Sequence, residues 1–277
     1  MKTTLRLLAV GMLTAALLGL TGCNKLKARD QLNKGVQAYK AARFEQAIEH
    51  FKNAVELDPN LSVAKLYLAT AYTGQYIPGV DSEENVRMAE QAIDQYKEVL
   101  ATNPDSQYKL TCLKGIASLY FNMKKLDQAR DYYRQALVVD PNDPEIYYSI
   151  GVIDWTETYQ EAAKDKAPLG LKVDDEYKKD KASAKVCQDL KAANEQKVTE
   201  GLDVLQKAVD LRSDYDDAMA YLNLLYRRRA DIQCDDPEAR AADLKTADEW
   251  VAKTMAVKRQ KAEKAAQPGG IHMESPQ

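Results

Sequence analysis

One short segment comes back along this chain, and it restricts the fold more than any other feature. It first runs Ala47-Ile48-Glu49-His50-Phe51-Lys52-Asn53-Ala54-Val55-Glu56-Leu57-Asp58-Pro59-Asn60. It returns as Ala92-Ile93-Asp94-Gln95-Tyr96-Lys97-Glu98-Val99-Leu100-Ala101-Thr102-Asn103-Pro104-Asp105, and again as Ala129-Arg130-Asp131-Tyr132-Tyr133-Arg134-Gln135-Ala136-Leu137-Val138-Val139-Asp140-Pro141-Asn142. A looser copy runs from Gly201 through Leu205 and Ala208 to Ser213. In each full copy the small and aromatic positions fall three or four residues apart, so they share one helix face. Small residues let two helices approach closely, the aromatic fills the gap beside them, and Pro stops the helix.

The rest of the chain reads the same way. Apolar residues recur at three- and four-residue spacing, and strand-like alternation is absent. Asp143-Pro144 and Asp236-Pro237 each place an acidic cap before a first-turn proline. The marker residues at 47, 92, 129 and 201 are separated by 45, 37 and 72 positions, so two intervals carry extra chain. The first excess is Gly74 to Glu84, where Tyr76-Ile77-Pro78-Gly79 reads as a turn with exposed apolar residues. The second is Thr156 to about Thr199, with Pro168-Leu169-Gly170 and a charged stretch from Lys172 to Lys185. An interval of 72 has room for a whole degenerate unit, but lengthened helices joined by a loop are favoured, because no small-aromatic-small pattern occurs there.

The pattern resembles the tetratricopeptide repeat, a helix-turn-helix unit of about 34 residues. Gly35, Ala47, Phe51, Ala54 and Pro59 carry the resemblance in the first copy. Ala117, Tyr120, Ala129, Tyr133, Ala136 and Pro141 carry it in the third, and Tyr147, Ile150 and Gly151 open the fourth. The resemblance implies an all-α, right-handed solenoid of about five helix pairs with two insertions and a C-terminal capping helix. The array is expected over 28–265, with units at about 28–61, 62–106, 110–143, 144–215 and 216–265. In the last helix Trp250, Val251 and Met255 are expected to face the array while its many charges stay outside. The tail at 266–277 lacks apolar periodicity and is expected to be disordered.

In such arrays the first helix of each pair lines a concave groove. The positions that correspond here are Tyr39, Tyr67, Phe121, Tyr148, Trp155 and Tyr221, with Arg227 and Arg228 at the far end. About half of the rings are expected to be exposed. Rigid rings bury much area for little entropy, so such a surface suits a peptide or a helix. Relatives that clamp a C-terminal carboxylate use Lys and Asn. The matching positions here are Leu32, Val36 and Tyr67, so that chemistry does not carry over.

The N-terminus supplies a location. Lys2 and Arg6 precede an apolar run from Leu7 to Leu20, too short for a membrane span and of the form of a secretory signal at 1–22. Leu20-Thr21-Gly22-Cys23 resembles the lipobox of bacterial lipoproteins. The resemblance implies that Cys23 is lipidated and becomes the new N-terminus, with 23–27 as a short anchored lead-in. Each buried CH₂ contributes about 0.8 kcal/mol, so several acyl chains hold a protein firmly on a bilayer. Asn24 is not the Asp of an inner-membrane retention signal, which favours the outer membrane facing the periplasm. Lys2 and Arg6 carry two positive charges, so the chain at −3 overall leaves −5 on residues 23–277. An acidic body argues against nucleic acid as a partner.

Three further cysteines remain. Cys112 lies among apolar helix positions and reads as a small buried hydrophobe. Cys187 and Cys234 fall in irregular regions of an exported chain; they either pair or stay as two half-buried thiols. Histidines 50 and 272 are far apart, no Cys/His spacing for a metal occurs, and phosphate loops and a nucleophile elbow are missing. Only the acidic pair Asp235-Asp236 is a weak cation candidate. The chain is therefore read as a non-enzymatic scaffold for an envelope protein or peptide, without cofactor. The alternative is a carrier or hydrolase for cell-wall or small-molecule ligands, with 156–199 as its lid.

Overall fold

A computed structural model describes residues 23–266. The expected signal segment at 1–22 and the tail from 267 lie outside the described residues. Within them every regular element is helical. The order is α1 (23–40), α2 (Phe44–Leu57), α3 (Ser62–Gln75), α4 (Glu83–Ala101), α5 (Ser106–Asn122), α6 (Leu126–Val139), α7 (Pro144–Lys166), a 3-10 turn (Ala167–Leu169), α8 (Lys181–Leu211), α9 (Asp216–Asp231) and α10 (Pro237–Ala266). Two details correct the expectation. Residues 23–27 belong to α1 instead of forming a lead-in, and α10 takes in residue 266.

Side-chain caps set several helix starts. Asp105 accepts from the Tyr108 amide at 2.9 Å, Asp143 from Glu145 at 2.9 Å, and Asp180 from Ser183 at 2.7 Å. Asp236 accepts from Ala239 at 2.8 Å, one residue before the proline that opens α10. Each such cap satisfies an amide the helix itself leaves open, typically for about 1 kcal/mol.

The helices fall into two compact units, one ending at Asp140 and the other beginning at Pro141. In the first, α2 packs on α3, α3 on α4, α4 on α5 and α5 on α6. The recurring segment supplies the contacts: Ala47, Phe51, Ala54, Ala92, Val99, Ala129 and Ala136 are wholly buried. Gly35 of α1 shows why the small positions must be small. A methyl group placed there would lie 2.4 Å from the Phe51 ring. The excess chain after α3 is a loop fastened by one side chain. Asn85, in the first turn of α4, accepts from the Ile77 amide at 2.8 Å and donates to the carbonyls of Ile77 and Val80 at 2.8 and 2.7 Å. Those bonds leave Ile77 and Val80 themselves exposed.

In the second unit α7 packs on α8, α8 on α9 and α9 on α10, and α7 also touches α9. Gly151 of α7 repeats the rule, since a methyl there would meet Leu205 at 2.4 Å. The long interval holds no hidden repeat. It is filled by the extended ends of α7 and α8 and by the loop at 170–180. On α10, Asp243, Ala247, Trp250 and Thr254 are buried. Val251 and Met255 are exposed, against expectation, because they fall off that three-four spacing.

Candidate partner-binding surface and the insertion beside it

All six rings expected to line a groove are half-buried, fewer exposed than anticipated. In the first unit they act mainly as spacers between helices. Tyr39 meets Phe44 edge-on at 5.4 Å, and Tyr67 stacks on the buried Phe51 at 5.5 Å. Phe121 is half-buried at the end of α5.

The second unit is different, because its rings form a continuous row. Tyr148 lies 5.0 Å from Tyr215 and 5.6 Å from Tyr221, centroid to centroid. Trp155 lies 5.3 Å from Tyr221 and 5.1 Å from Tyr159. Tyr148, Trp155 and Tyr159 share a face of α7 at seven- and four-residue steps, and Tyr221 reaches them from α9. Tyr159 and Tyr215 escaped the reading of the sequence. The first follows Trp155 by one helical turn, a signal that was there to use. The second precedes α9 and carries no helical periodicity.

The row has an electrostatic character. The Tyr215 hydroxyl donates to Glu145 at 2.6 Å, and the Arg212 guanidinium lies 3.3 Å from the centre of the Tyr215 ring while pairing with Glu145 at 2.8 Å. Burial pushes the Tyr148 phenol up to about 12, helped by Tyr221 and by the carboxylates of Asp217 and Glu145. Tyr221 is raised by burial and by Asp217. Rings held neutral across the ordinary pH range keep their hydroxyls as donors.

Arg227 and Arg228 do not close a groove. Arg227 donates to Asn223 at 3.0 Å and to Asp248 of α10 at 2.7 Å. Arg228 is 5% exposed, and its guanidinium bonds the Val173 carbonyl at 3.3 Å and the Asp174 carboxylate. It turns inward because the loop folds back on the end of α9 and brings carbonyls and acids that need a donor. Lys166 does the same from α7. It is fully buried, and its Nζ donates to the carbonyls of Val173 and Asp175 at 2.9 Å each and to Asp231 at 2.6 Å. The Tyr177 ring covers that ammonium at 4.3 Å. Burial raises the Asp231 carboxyl, and Lys166 opposes the rise.

Cys187 and Cys234 are bonded to each other, with Cα atoms 5.7 Å apart, which ties α8 to the α9–α10 loop. Cys112 is a buried free thiol, pushed up to about 12 by burial. Beside Arg228 and Asp231 in the second unit, a cavity of about 10 Å³ is lined by Thr158 and Asn194 as well. That is about the room of a single water. The loop is thus fastened by buried bonds, an arrangement unlike a hinged lid.

Among the described residues no group of three or more His, Cys, Asp or Glu side chains is placed to hold a metal ion. Asp235 instead accepts from Gln188 at 2.7 Å, and Asp236 caps α10. Among the same residues no helix is long and apolar enough to cross a membrane.

Comparison with known proteins agrees with this geometry. A family described as "Tetratricopeptide repeat" matches residues 31–61, and one described as "TPR repeat" matches residues 117–155. The chain therefore carries tetratricopeptide repeats. No curated protein sequence matches it. Among solved structures, a crystal structure of MamA superposes with a TM-score of 0.55 at 14% identity, over 86% of this chain and 94% of that one. A double mutant of MamA from strain RS-1 gives 0.57 at 16%, over 86% and 97%. MamA from Desulfovibrio magneticus RS-1, from its residue 41 to the end, gives 0.54 at 16%, over 84% and 96%. At these identities the likeness is one of fold, an all-α solenoid of tetratricopeptide type. Such repeats are generally non-enzymatic, and the fold suggests a scaffold for protein–protein interaction.

Proposed function

We propose that the protein is a lipid-anchored scaffold of the bacterial cell envelope, which holds a protein or peptide partner against the aromatic row of its second unit. The observation that carries this reading is the unbroken run of rings from Tyr215 through Tyr148, Tyr221 and Trp155 to Tyr159. Tyr148, Tyr221 and Trp155 are half-buried and Tyr159 is exposed, over a buried Tyr215; rings so placed offer area at little entropic cost, which is what an extended or helical partner needs. The lipobox-like Leu20-Thr21-Gly22-Cys23 supports the anchor, and Cys23 is exposed at the start of α1. Asn24 after it favours the outer membrane, where the scaffold would serve the assembly of an envelope complex.

Two experiments test the two halves. Affinity capture of the anchored protein from a detergent extract, with crosslinking, should enrich a partner. Tyr148→Ala combined with Trp155→Ala should lose it. An unchanged capture by that double variant sinks the groove reading. Cys23→Ala should leave the fold intact and move the protein out of the membrane fraction. Retention there would reject the anchor.

A further inference from the structure

The aromatic row already displays a bound cation once. Arg212 stacks on the Tyr215 ring at 3.3 Å, with Glu145 as counter-ion at 2.8 Å. Ring face, guanidinium and carboxylate complete one another there, which is how a desolvated cation is held on an aromatic surface. The next rings along repeat two of the three components. Tyr148 and Tyr221 meet edge to face, and Trp155 meets Tyr221 in the same way. Asp217, one helical turn before Tyr221 on α9, acts on both tyrosines. Its neighbour Asp216 is bonded to Lys261, and Glu145 is taken by Arg212 and Tyr215. Asp217 itself is exposed and has no ion-pair partner among the described residues. The third component, a cation, is what a partner would bring. The Tyr159 end differs, because Arg228 already lies 6.0 Å from that ring.

We propose that Tyr148, Trp155, Tyr221 and Asp217 form a subsite for a cationic side chain, arginine above all, of a partner peptide. The inference rests on the groove reading above and adds the partner's chemistry. The aliphatic stem of an arginine covers Trp155, its guanidinium lies over the tyrosine faces, and Asp217 accepts from its N–H groups. A partner segment with arginine is therefore selected over a neutral one, and an acidic segment is rejected by Asp217.

The test uses the full-length protein in detergent and fluorescence anisotropy. The probes are an end-blocked peptide carrying arginine at alternate positions and the same peptide with citrulline, which keeps the shape and removes the charge. The arginine peptide should bind about tenfold more tightly. Asp217→Asn, a change at an exposed position, should weaken the arginine peptide about fivefold and leave the citrulline peptide within about twofold. Tyr148→Leu should do the same by removing the ring face. Equal binding of the two peptides, or an Asp217→Asn protein that keeps the arginine preference, overturns the proposal. If Tyr148→Leu weakens both peptides equally and no arginine preference exists, the patch docks peptide without reading charge; that outcome keeps the groove and removes the cation subsite. If neither peptide binds, the subsite is rejected, and the groove stands or falls by the capture experiment. Self-association that Tyr148→Leu abolishes and Asp217→Asn leaves in place would assign the patch to a second copy of the chain and would overturn the subsite as well.

Discussion

The buried ammonium of Lys166 bonds the Asp231 carboxylate at 2.6 Å across 65 positions of sequence, and the same ammonium holds the loop between them by the carbonyls of Val173 and Asp175. Lys166 has no exposed surface, and the Asp231 side chain keeps 12%. Removing one partner of such a pair strands the other charge away from water, which typically costs about 3–5 kcal/mol. Lys166→Met should destabilise the second unit by about 3 kcal/mol, since Arg228 at 3.7 Å from Asp231 offers partial compensation. Adding Asp231→Leu to that variant should recover most of the loss. Urea unfolding of the three proteins measures both steps. A Lys166→Met protein as stable as the original would show the network to be dispensable.

The disulfide works on the same region through the unfolded chain. Cys187 and Cys234 close a loop of 47 residues, and cross-links of that span stabilise by about 2–4 kcal/mol. Replacing both by Ser should lower the denaturant midpoint accordingly, with the first unit's helices unaffected. Alkylation followed by mass measurement checks the pairing: unreduced native protein should yield no label at Cys187, Cys234 or the buried Cys112.

Close approach between paired helices makes a sharper test of packing. At Gly35 an added methyl would sit 2.4 Å from the Phe51 ring, which is itself wholly buried and stacked on Tyr67. A ring buried and stacked in this way gives little, and overpacking of this kind costs about 1–3 kcal/mol. The gain in helix propensity from Gly to Ala is about 1 kcal/mol in the other direction. Gly35→Ala should therefore be net destabilising, by up to about 2 kcal/mol, in a thermal or urea melt. A stabilised variant would mean that α1 and α2 separate freely.

These cases also show how far the residues alone reveal the structure. Ala47, Phe51 and Ala54 announce their helix pair because steric demand is local and repeats. The caps at Asp143 and Asp236 are legible for the same reason: the acid and the proline it serves are adjacent. Lys166 and Arg228 are not legible. A Lys and an Arg within charged stretches look like solvent-facing residues, and only the return of the 170–180 loop onto α9 creates the carbonyls that draw them in. The rings singled out in the sequence were only partly legible as neighbours. Tyr148, Trp155 and Tyr221 followed from repeat geometry, but whether a ring spaces two helices, like Tyr67, or joins a row depends on neighbours brought from another helix. Val251 and Met255 illustrate a smaller error, a face chosen one position off on a helix with charges all round.

The phenols of the row give a pH dependence of known sign. Tyr148 is pushed up to about 12 by burial and by its ring and carboxylate neighbours, and Tyr215 and Tyr221 are raised as well. An ordinary tyrosine titrates near 10. A phenol whose pKa is higher in the folded chain contributes stability that is whole below about pH 10 and is lost as pH rises through its folded value. The second unit should therefore weaken progressively between about pH 10 and pH 12, and the pH should have little effect through these groups near neutrality. Tyr148→Phe keeps the ring and removes the titrating group, so its melting temperature should fall less steeply over that interval. Ultraviolet titration of phenolate absorbance should lose one late-titrating tyrosine in the same variant. If the variant's alkaline melting curve and its phenolate titration both match the unaltered protein, Tyr148 is solvated, and the row is looser than its 5.0 and 5.6 Å ring contacts imply.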